Sequence, residues 1–254
     1  MMRADLLAGI AAMALATGAT AANAPRANVH SSAQTRTAVA AALADPRRAD
    51  AAKDDARRKS AAVLQFAGVG PGDTVVDFLP GGAAYWTRIF STAVGPSGKV
   101  YALWPQASAE RAVKPIADIK AMNLANVTPL AGDVATLGPV DLVWTVQNYH
   151  DVANRGGAEA LLALDKAVLA ALKPGGTYVV IDHAAKPGSG LAETNTLHRI
   201  DPAAVRAAVV KAGFKFEGQS NVLRNPADDH SKGVTDPAIR GTTDQFVLKF
   251  RKPR

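Results

Sequence analysis

Past residue 68 the chain alternates between short, almost continuously apolar runs and longer stretches with apolar residues at helical spacing. The runs are "TVVDFL" (74–79), "KVYALW" (99–104), "NVTPLA" (126–131), "VDLVWTV" (140–146) and "TYVVIDHA" (177–184). Helix-like segments fall between them, at 83–93, 108–122 and 156–172. Strands that are apolar throughout need cover on both faces, so the pattern predicts a parallel sheet between helical layers. One more helix is expected in "LHRIDPAAVRAAVVKAGF", and then the order changes. "KFEGQSNVLR" and "TTDQFVLKF" follow with no helix between them, so they are expected to pair antiparallel across the long loop 225–242.

The first quarter of the chain reads differently. Residues 1–24 carry Arg3, an apolar stretch from Leu6 to Ala16, and then two A-x-A patterns, Ala19-Thr20-Ala21 and Ala22-Asn23-Ala24. This is the layout of a cleaved signal peptide, too short to span a membrane, and it predicts an exported, periplasmic protein with no stable membrane anchor. Residues 25–35 are polar and are expected to be disordered. Two helices are expected at 35–44 and 46–67, separated by a break and cap at Asp45-Pro46. The second is expected to end at Gly68, ahead of the turn-forming "GVGPGD". The expected organisation is therefore a signal peptide (1–24), an N-terminal helical extension (25–67) and one α/β domain (68–254).

Composition narrows the picture in three ways. With 254 residues, 48% of them hydrophobic, a substantial core is within reach. The chain has no cysteine, which excludes disulfides, thiol catalysis and thiolate metal sites. The formal charge of +7 is dispersed, and aromatic residues do not interleave with the basic ones as a nucleic-acid platform requires. A small-molecule partner fits better than a nucleic acid; the sequence leaves the oligomeric state open.

Chemistry is most legible in "TVVDFLPGGAAYWTRIF" (74–90), where an apolar strand ends near Asp77, turns through Pro80-Gly81-Gly82 and enters a helix. In open α/β sheets ligands bind beyond the carboxyl ends of the strands. Two glycines let a ligand approach the backbone, and the following helix aims its N–H groups into the same space. The alternative is a tight turn that touches nothing.

The blocks "GPGDTVVDFLPGGAAYWTRIF", "GPSGKVYAL", "NVTPLAGDV", "VDLVWTVQNYHD" and "ALKPGGTYVVID", in that order, resemble the class I, seven-stranded, Rossmann-like S-adenosylmethionine-dependent methyltransferases over about residues 50 to 253. "RKSAAVLQFAGVGPGDTVVDFLPGG" and "RGTTDQFVLKF" further resemble a group of exported bacterial predicted methyltransferases. The resemblance implies a three-layer, mostly parallel seven-stranded sheet with a C-terminal antiparallel strand. It also implies S-adenosylmethionine as cofactor. Asp77, Gly81 and Gly82 would then hold the methionine part, Asp133 the adenine amino group, and Asn148 would lie at the same cleft. Three positions depart from the family pattern. Leu79 and Ala83 replace glycines of the loop, and Trp104 stands where a carboxylate usually accepts the ribose hydroxyls. A Trp can cover a sugar face but cannot accept two hydroxyl hydrogen bonds.

Polar residues gather at the expected strand ends. Asn148, Tyr149, His150 and Asp151 follow the fourth strand, and Asp182 and His183 close the fifth. His198, Arg199 and Asp201 lead into the next helix, and Asp228, Asp229, His230 and Arg240 lie in the loop 225–242. Four of the five histidines thus face one rim, with His30 left in the tail. His150 or His183, oriented by Asp182 or Asp151, is the expected proton acceptor from a hydroxyl or amine as the methyl arrives. Asp182, His183 and a residue near Asn148 occupy places where some metal-dependent relatives hold magnesium, and the mixture of His and carboxylate would equally suit zinc or iron, but no tight ligand spacing is present and no metal is assigned. The reading is methyl transfer from S-adenosylmethionine to a small-molecule acceptor. The alternative is a catalytically silent exported binding protein on the same fold. A nicotinamide-dependent oxidoreductase ranks lower, because the G-x-G-x-x-G fingerprint is absent.

Overall fold

The computed structural model describes residues 25–254; the expected signal peptide lies outside the described residues. Seven strands form one sheet in the order β3-β2-β1-β4-β5-β7-β6. In chain order they are β1 (Thr74–Phe78), β2 (Lys99–Pro105), β3 (Val127–Gly132), β4 (Val140–Val146), β5 (Leu172–His183), β6 (Lys215–Ser220) and β7 (Gln245–Arg251). β1 to β5 pair parallel, while β7 lies antiparallel between β5 and β6. The sheet is therefore mostly parallel with an antiparallel C-terminal strand, as the pattern predicts.

The helices are α1 (Ser32–Leu43), α2 (Asp55–Arg58), α3 (Ser60–Ala67), α4 (Tyr85–Val94), α5 (Ala109–Ala121), α6 (Tyr149–Ala171) and α7 (Pro202–Lys211). Because strand side chains alternate between faces, each central strand feeds two cores. Val76, Val143, Tyr178 and Val180 pack with α6 and α7 on one face. Val75, Leu142, Trp144, Val179 and Ile181 pack with α1, α3 and α4 on the other. A residue at the carboxyl end of β1 or β4 is thus held by two packed layers, which is what fixes the geometry there.

Two expectations about the N-terminal part are corrected. The tail is ordered: residues 25–31 run along the amino ends of the central strands, opposite the loop that follows β1. The Ala27 amide donates to Pro174 O at 3.1 Å and the Asn28 amide to Asp141 Oδ1 at 2.8 Å. His30 is not a tail residue, for its Nε2 lies 2.7 Å from Asp73 Oδ1 and its ring is nearly buried. Second, the stretch 46–67 is not one helix. Short 3-10 turns and α2 precede a break at Lys59, which is left-handed (φ 49°), before α3 runs on to Gly68. The buried Arg48 guanidinium pairs with Asp55 at 2.6 Å, tying the turns into a compact knot rather than a rod. Farther along, the helix expected over 156–172 does start anew at the non-helical Gly156-Gly157 pair, and what the sequence did not predict is the short helical segment from Tyr149 that joins it there to make α6. Among the described residues no helix is long and apolar enough to cross a membrane.

Candidate functional site

The strand order reverses between β1 and β4, so the loop after β1 and the start of α6 flank the crevice where open α/β sheets bind ligands. The loop is held in an unusual path. Leu79 is left-handed (φ 56°), with its amide donating to Leu103 O at 2.8 Å, and Gly81 (φ 72°) and Ala84 (φ 49°) are left-handed as well. Asn148, at the end of β4, donates from Nδ2 to Val146 O at 2.7 Å and to Leu79 O at 3.2 Å, so one side chain fastens both walls. At Gly81 and Gly82 a Cβ would meet nothing within 4 Å. The two glycines therefore border open space.

That space is a cleft of about 280 Å³ lined by Asp77, Leu79, Gly81, Gly82, Arg58 and Asn148 among others. Arg58 was missed by the sequence reading because it lies in the N-terminal part; its guanidinium carbon stands 4.5 Å from the Tyr85 ring centre, and its Nε has no partner among the described residues. Burial pulls its pKa below the usual arginine value. A second, more apolar cleft of about 410 Å³ lies between the ends of β2 and β3 and helix α6, and its wall includes Phe78, the residue between Asp77 and Leu79 of the first. Phe78, Gln106, Asp133, Val152 and Arg155 line it. The Asp133 carboxylate accepts from the Ala135 amide at 2.9 Å, so it caps the turn after β3 while standing at the cleft mouth. Trp104 does not offer its face to either cleft: it is buried among Ala84, Ala102, Ala112 and Ile119. Gln106, two residues on, is the polar side chain at the end of β2, with both a donor and acceptors.

Asp77 lies on the floor of the first cleft, with its Oδ2 accepting from Thr87 Oγ1 at 2.6 Å. Its carboxylate is turned to α4 and almost fully buried. Burial drives its pKa up to about 7, against the pull of the Thr87 hydrogen bonds. A carboxylate with a raised native pKa holds its proton where the unfolded chain has lost it, so its contribution to stability is full below about pH 4 and fades as pH rises through 7. Asp77→Asn keeps the shape and cannot ionise. Relative to that variant, the wild-type protein is expected to lose on the order of 1–3 kcal/mol between pH 4 and 8, as read from denaturant unfolding at a series of pH values. A constant difference across that range would show that Asp77 ionises freely.

The rim residues separate into three groups. His150, on the first turn of α6, is buried, with Nδ1 at 2.8 Å from Asp182 Oδ1. Asp182 Oδ2 also accepts the His150 amide at 2.9 Å, so one carboxylate fixes both ring and backbone. Burial opposes charge on this ring, yet the Asp182 hydrogen bond, with Asp182 and Asp151 as neighbouring charges, carries its pKa above the ordinary histidine value. The opposite ring nitrogen, Nε2, faces Asp151 and His198. His183 departs from its expected role: its Nδ1 is engaged by Thr243 Oγ1 at 2.8 Å, and burial pushes its pKa down to about 4. It shares the Asp182 carboxylate only through its amide. Asp228, Asp229, His230 and Arg240 line neither cleft. Asp228 pairs with Arg199 at 2.9 Å and His230 with Asp244 at 3.0 Å, whereas Asp229 is exposed and bonded to Ser231. The loop 225–242 opens on the expected edge, but its Asp228 and His230 are engaged in anchoring it.

No protein-family model matches the sequence, and no curated protein does. Solved structures do. An S-adenosylmethionine-dependent methyltransferase from Aquifex aeolicus matches with a TM-score of 0.54 and 19% identity, over 85% of this chain and 98% of its own. A chain from the complex of the Haloferax volcanii Trm112 methyltransferase activator with a methyltransferase matches at 0.56 and 18% identity, over 85% and 98%. SpnF, a 4+2 cyclase, matches at 0.57 and 15% identity, over 91% and 98%. At such identities the likeness establishes the fold: the chain has the Rossmann-like architecture of these enzymes.

Proposed function

We propose that the protein binds S-adenosylmethionine across the two adjoining clefts and transfers its methyl group to a small-molecule acceptor. The observation that carries this reading is the pair of clefts at the strand-order reversal, one bordered by Gly81 and Gly82, the other apolar with Asp133 at its mouth. An extended ligand with a zwitterionic amino-acid end and a flat, amine-bearing aromatic end matches that division. Arg58 supplies a cation for the carboxylate end, suited to a charge-assisted hydrogen bond. The apolar walls Phe78 and Val152 suit the faces of a base, and Asp133 suits an exocyclic amine. Asp77, buried and bonded to Thr87, shapes the floor rather than meeting a charged ligand group directly. A sulfonium methyl is already activated, so the protein has mainly to align donor and acceptor and exclude water.

The leader expected over residues 1–24 adds export to this proposal. A second reading keeps the fold and the ligand site without the reaction. It is favoured by the burial of Trp104 where a ribose-binding carboxylate would stand, and by the cyclase among the structures sharing the fold. Incubation with methyl-labelled S-adenosylmethionine and a panel of hydroxyl, amine and carboxylate acceptors separates the two. Label appearing in an acceptor supports methyl transfer; saturable cofactor binding with label retained on the cofactor across the panel supports the binding protein.

A further inference from the structure

At the free edge of the His150 ring its neighbour Asp151 meets His198, which is 48 residues away along the chain. His150 Nε2, Asp151 Oδ1 and His198 Nδ1 stand 3.4, 3.3 and 3.8 Å apart, for His150–Asp151, His150–His198 and Asp151–His198 respectively. Four-coordinate zinc with donors at about 2.0–2.1 Å sets those donors about 3.3–3.4 Å apart, whereas octahedral geometry at the same bond length brings neighbours to about 3.0 Å. Two sides of the observed triangle match a tetrahedral face, and the third, between the exposed Asp151 and His198, is longer at 3.8 Å. The triangle's composition, two imidazoles and one carboxylate, is the donor set of a borderline divalent transition metal rather than of magnesium or calcium.

Two further observations point the same way. The Nδ1 edge of His150 is held by the wholly buried Asp182, which is the arrangement that orients a metal-bound imidazole and raises its basicity. His198 is left-handed (φ 54°), an uncommon and strained conformation for a residue with a Cβ. The strain is imposed by its neighbours: Arg199 is anchored to Ala184 O, Lys232 O and Asp228, and the Ile200 amide donates to His183 O at 3.0 Å. His198 is thereby fixed over His150. The side chains of His198 and Asp151 remain 45% and 42% exposed, so an ion has a path in and a fourth position stays open to solvent.

We propose that His150, Asp151 and His198 form a binding site for one zinc-class divalent metal ion, with Asp182 as the positioning residue behind His150. The site stands on these side chains alone and does not depend on what occupies the glycine-lined cleft. His150 and Asp151 lie on the first turn of α6 between the N-cap residue Asn148, which lines that cleft, and Val152, which lines the apolar one. An acceptor oxygen at the open metal position would come from the same end of the fold.

The test uses untagged, chelator-treated protein titrated with Co(II) and then Zn(II), without S-adenosylmethionine. The expected result is one Co(II) per chain with the strong visible absorption of a four-coordinate site, displaced stoichiometrically by Zn(II). His198→Gly accepts the left-handed backbone without strain and removes one donor; it should weaken Co(II) binding by at least about tenfold, a loss of the size that even supporting residues around metal sites cause. Asp151→Asn, on an exposed side chain, should do likewise if the glycine variant fails to fold. Several weak equivalents per chain, octahedral-type faint absorption, or affinity unchanged in both variants would overturn the site. The triangle would then be a hydrogen-bonded histidine pair. Because cofactor binding is measured separately, failure here leaves the methyl-transfer reading where it stood.

Discussion

Arg199→Ala is expected to destabilise the protein by about 3–5 kcal/mol, the range for removing one partner of a buried ion pair. The Arg199 side chain is fully buried and all its bonds are internal. Nε donates to Lys232 O and Nη1 to Ala184 O, each at 2.9 Å, and Nη2 reaches the Asp228 carboxylate at 2.9 Å. Alanine leaves two carbonyl oxygens without their side-chain donor and the Asp228 carboxylate without its cation. The loop that holds His198 and the loop that follows β6 lose their common fastening in the same step. At about 2–4 °C per kcal/mol for a chain of this size, the melting temperature should fall by roughly 6–20 °C. Lysine keeps the charge but lacks the planar fork needed to reach three acceptors, so Arg199→Lys should recover only part of the loss. A fall of less than about 1 kcal/mol on calorimetric melting of the alanine variant would mean that the Asp228 carboxylate is already satisfied by the Asp244 and His230 amides, which donate to it at 2.7 and 3.1 Å.

Gly82→Trp should leave the fold intact and abolish cofactor binding. Unlike Gly81, Gly82 is not left-handed, and a Cβ there meets nothing within 4 Å, so a large side chain is accommodated by the backbone and projects into open space. If that space is the cofactor cleft, the indole occupies it, and affinity for S-adenosylmethionine should drop by about 100-fold or more, equivalent to roughly 2.7 kcal/mol. Thermal melting of the unliganded variant should stay within about 1 kcal/mol of wild type, as expected for a surface substitution with room to spare. Unchanged affinity would place the ligand elsewhere.

How much of this was legible in the sequence follows from which forces leave a local trace. Strands buried on both faces write themselves as apolar runs, and β4 (Val140–Val146) coincides with its predicted span to the residue. The pairing of β6 and β7 follows from the missing helix between them. Less legible were features fixed by contacts between distant polar groups. Residues 25–31 look like disordered tail because hydropathy does not register a strap held by Asp73 and Asp141. Likewise the stretch from 46 to 59 lacks a helical apolar stripe, and only the fold shows that a buried Arg48 pairs with Asp55. The Asp182–His150 pair was anticipated in type from the strand ends. His198 was expected on the same rim, but its direct approach to His150 was not, since it is 48 residues away along the chain and depends on an anchored loop. Among the expected ligand residues, Gly81, Gly82, Asn148 and Asp133 do line clefts, whereas the histidines His183 and His230 turn to Thr243 and Asp244 instead.

The central claim is that the altered loop, with Leu79 and Ala83 in place of glycines, still holds the cofactor. Calorimetric titration of the purified protein with S-adenosylmethionine, and separately with its demethylated product, tests it most directly. The account predicts saturable, one-to-one binding of at least one of them with a dissociation constant in the micromolar range, about 8 kcal/mol. No heat and no thermal stabilisation at millimolar concentrations of either would contradict it and leave the clefts to a different ligand.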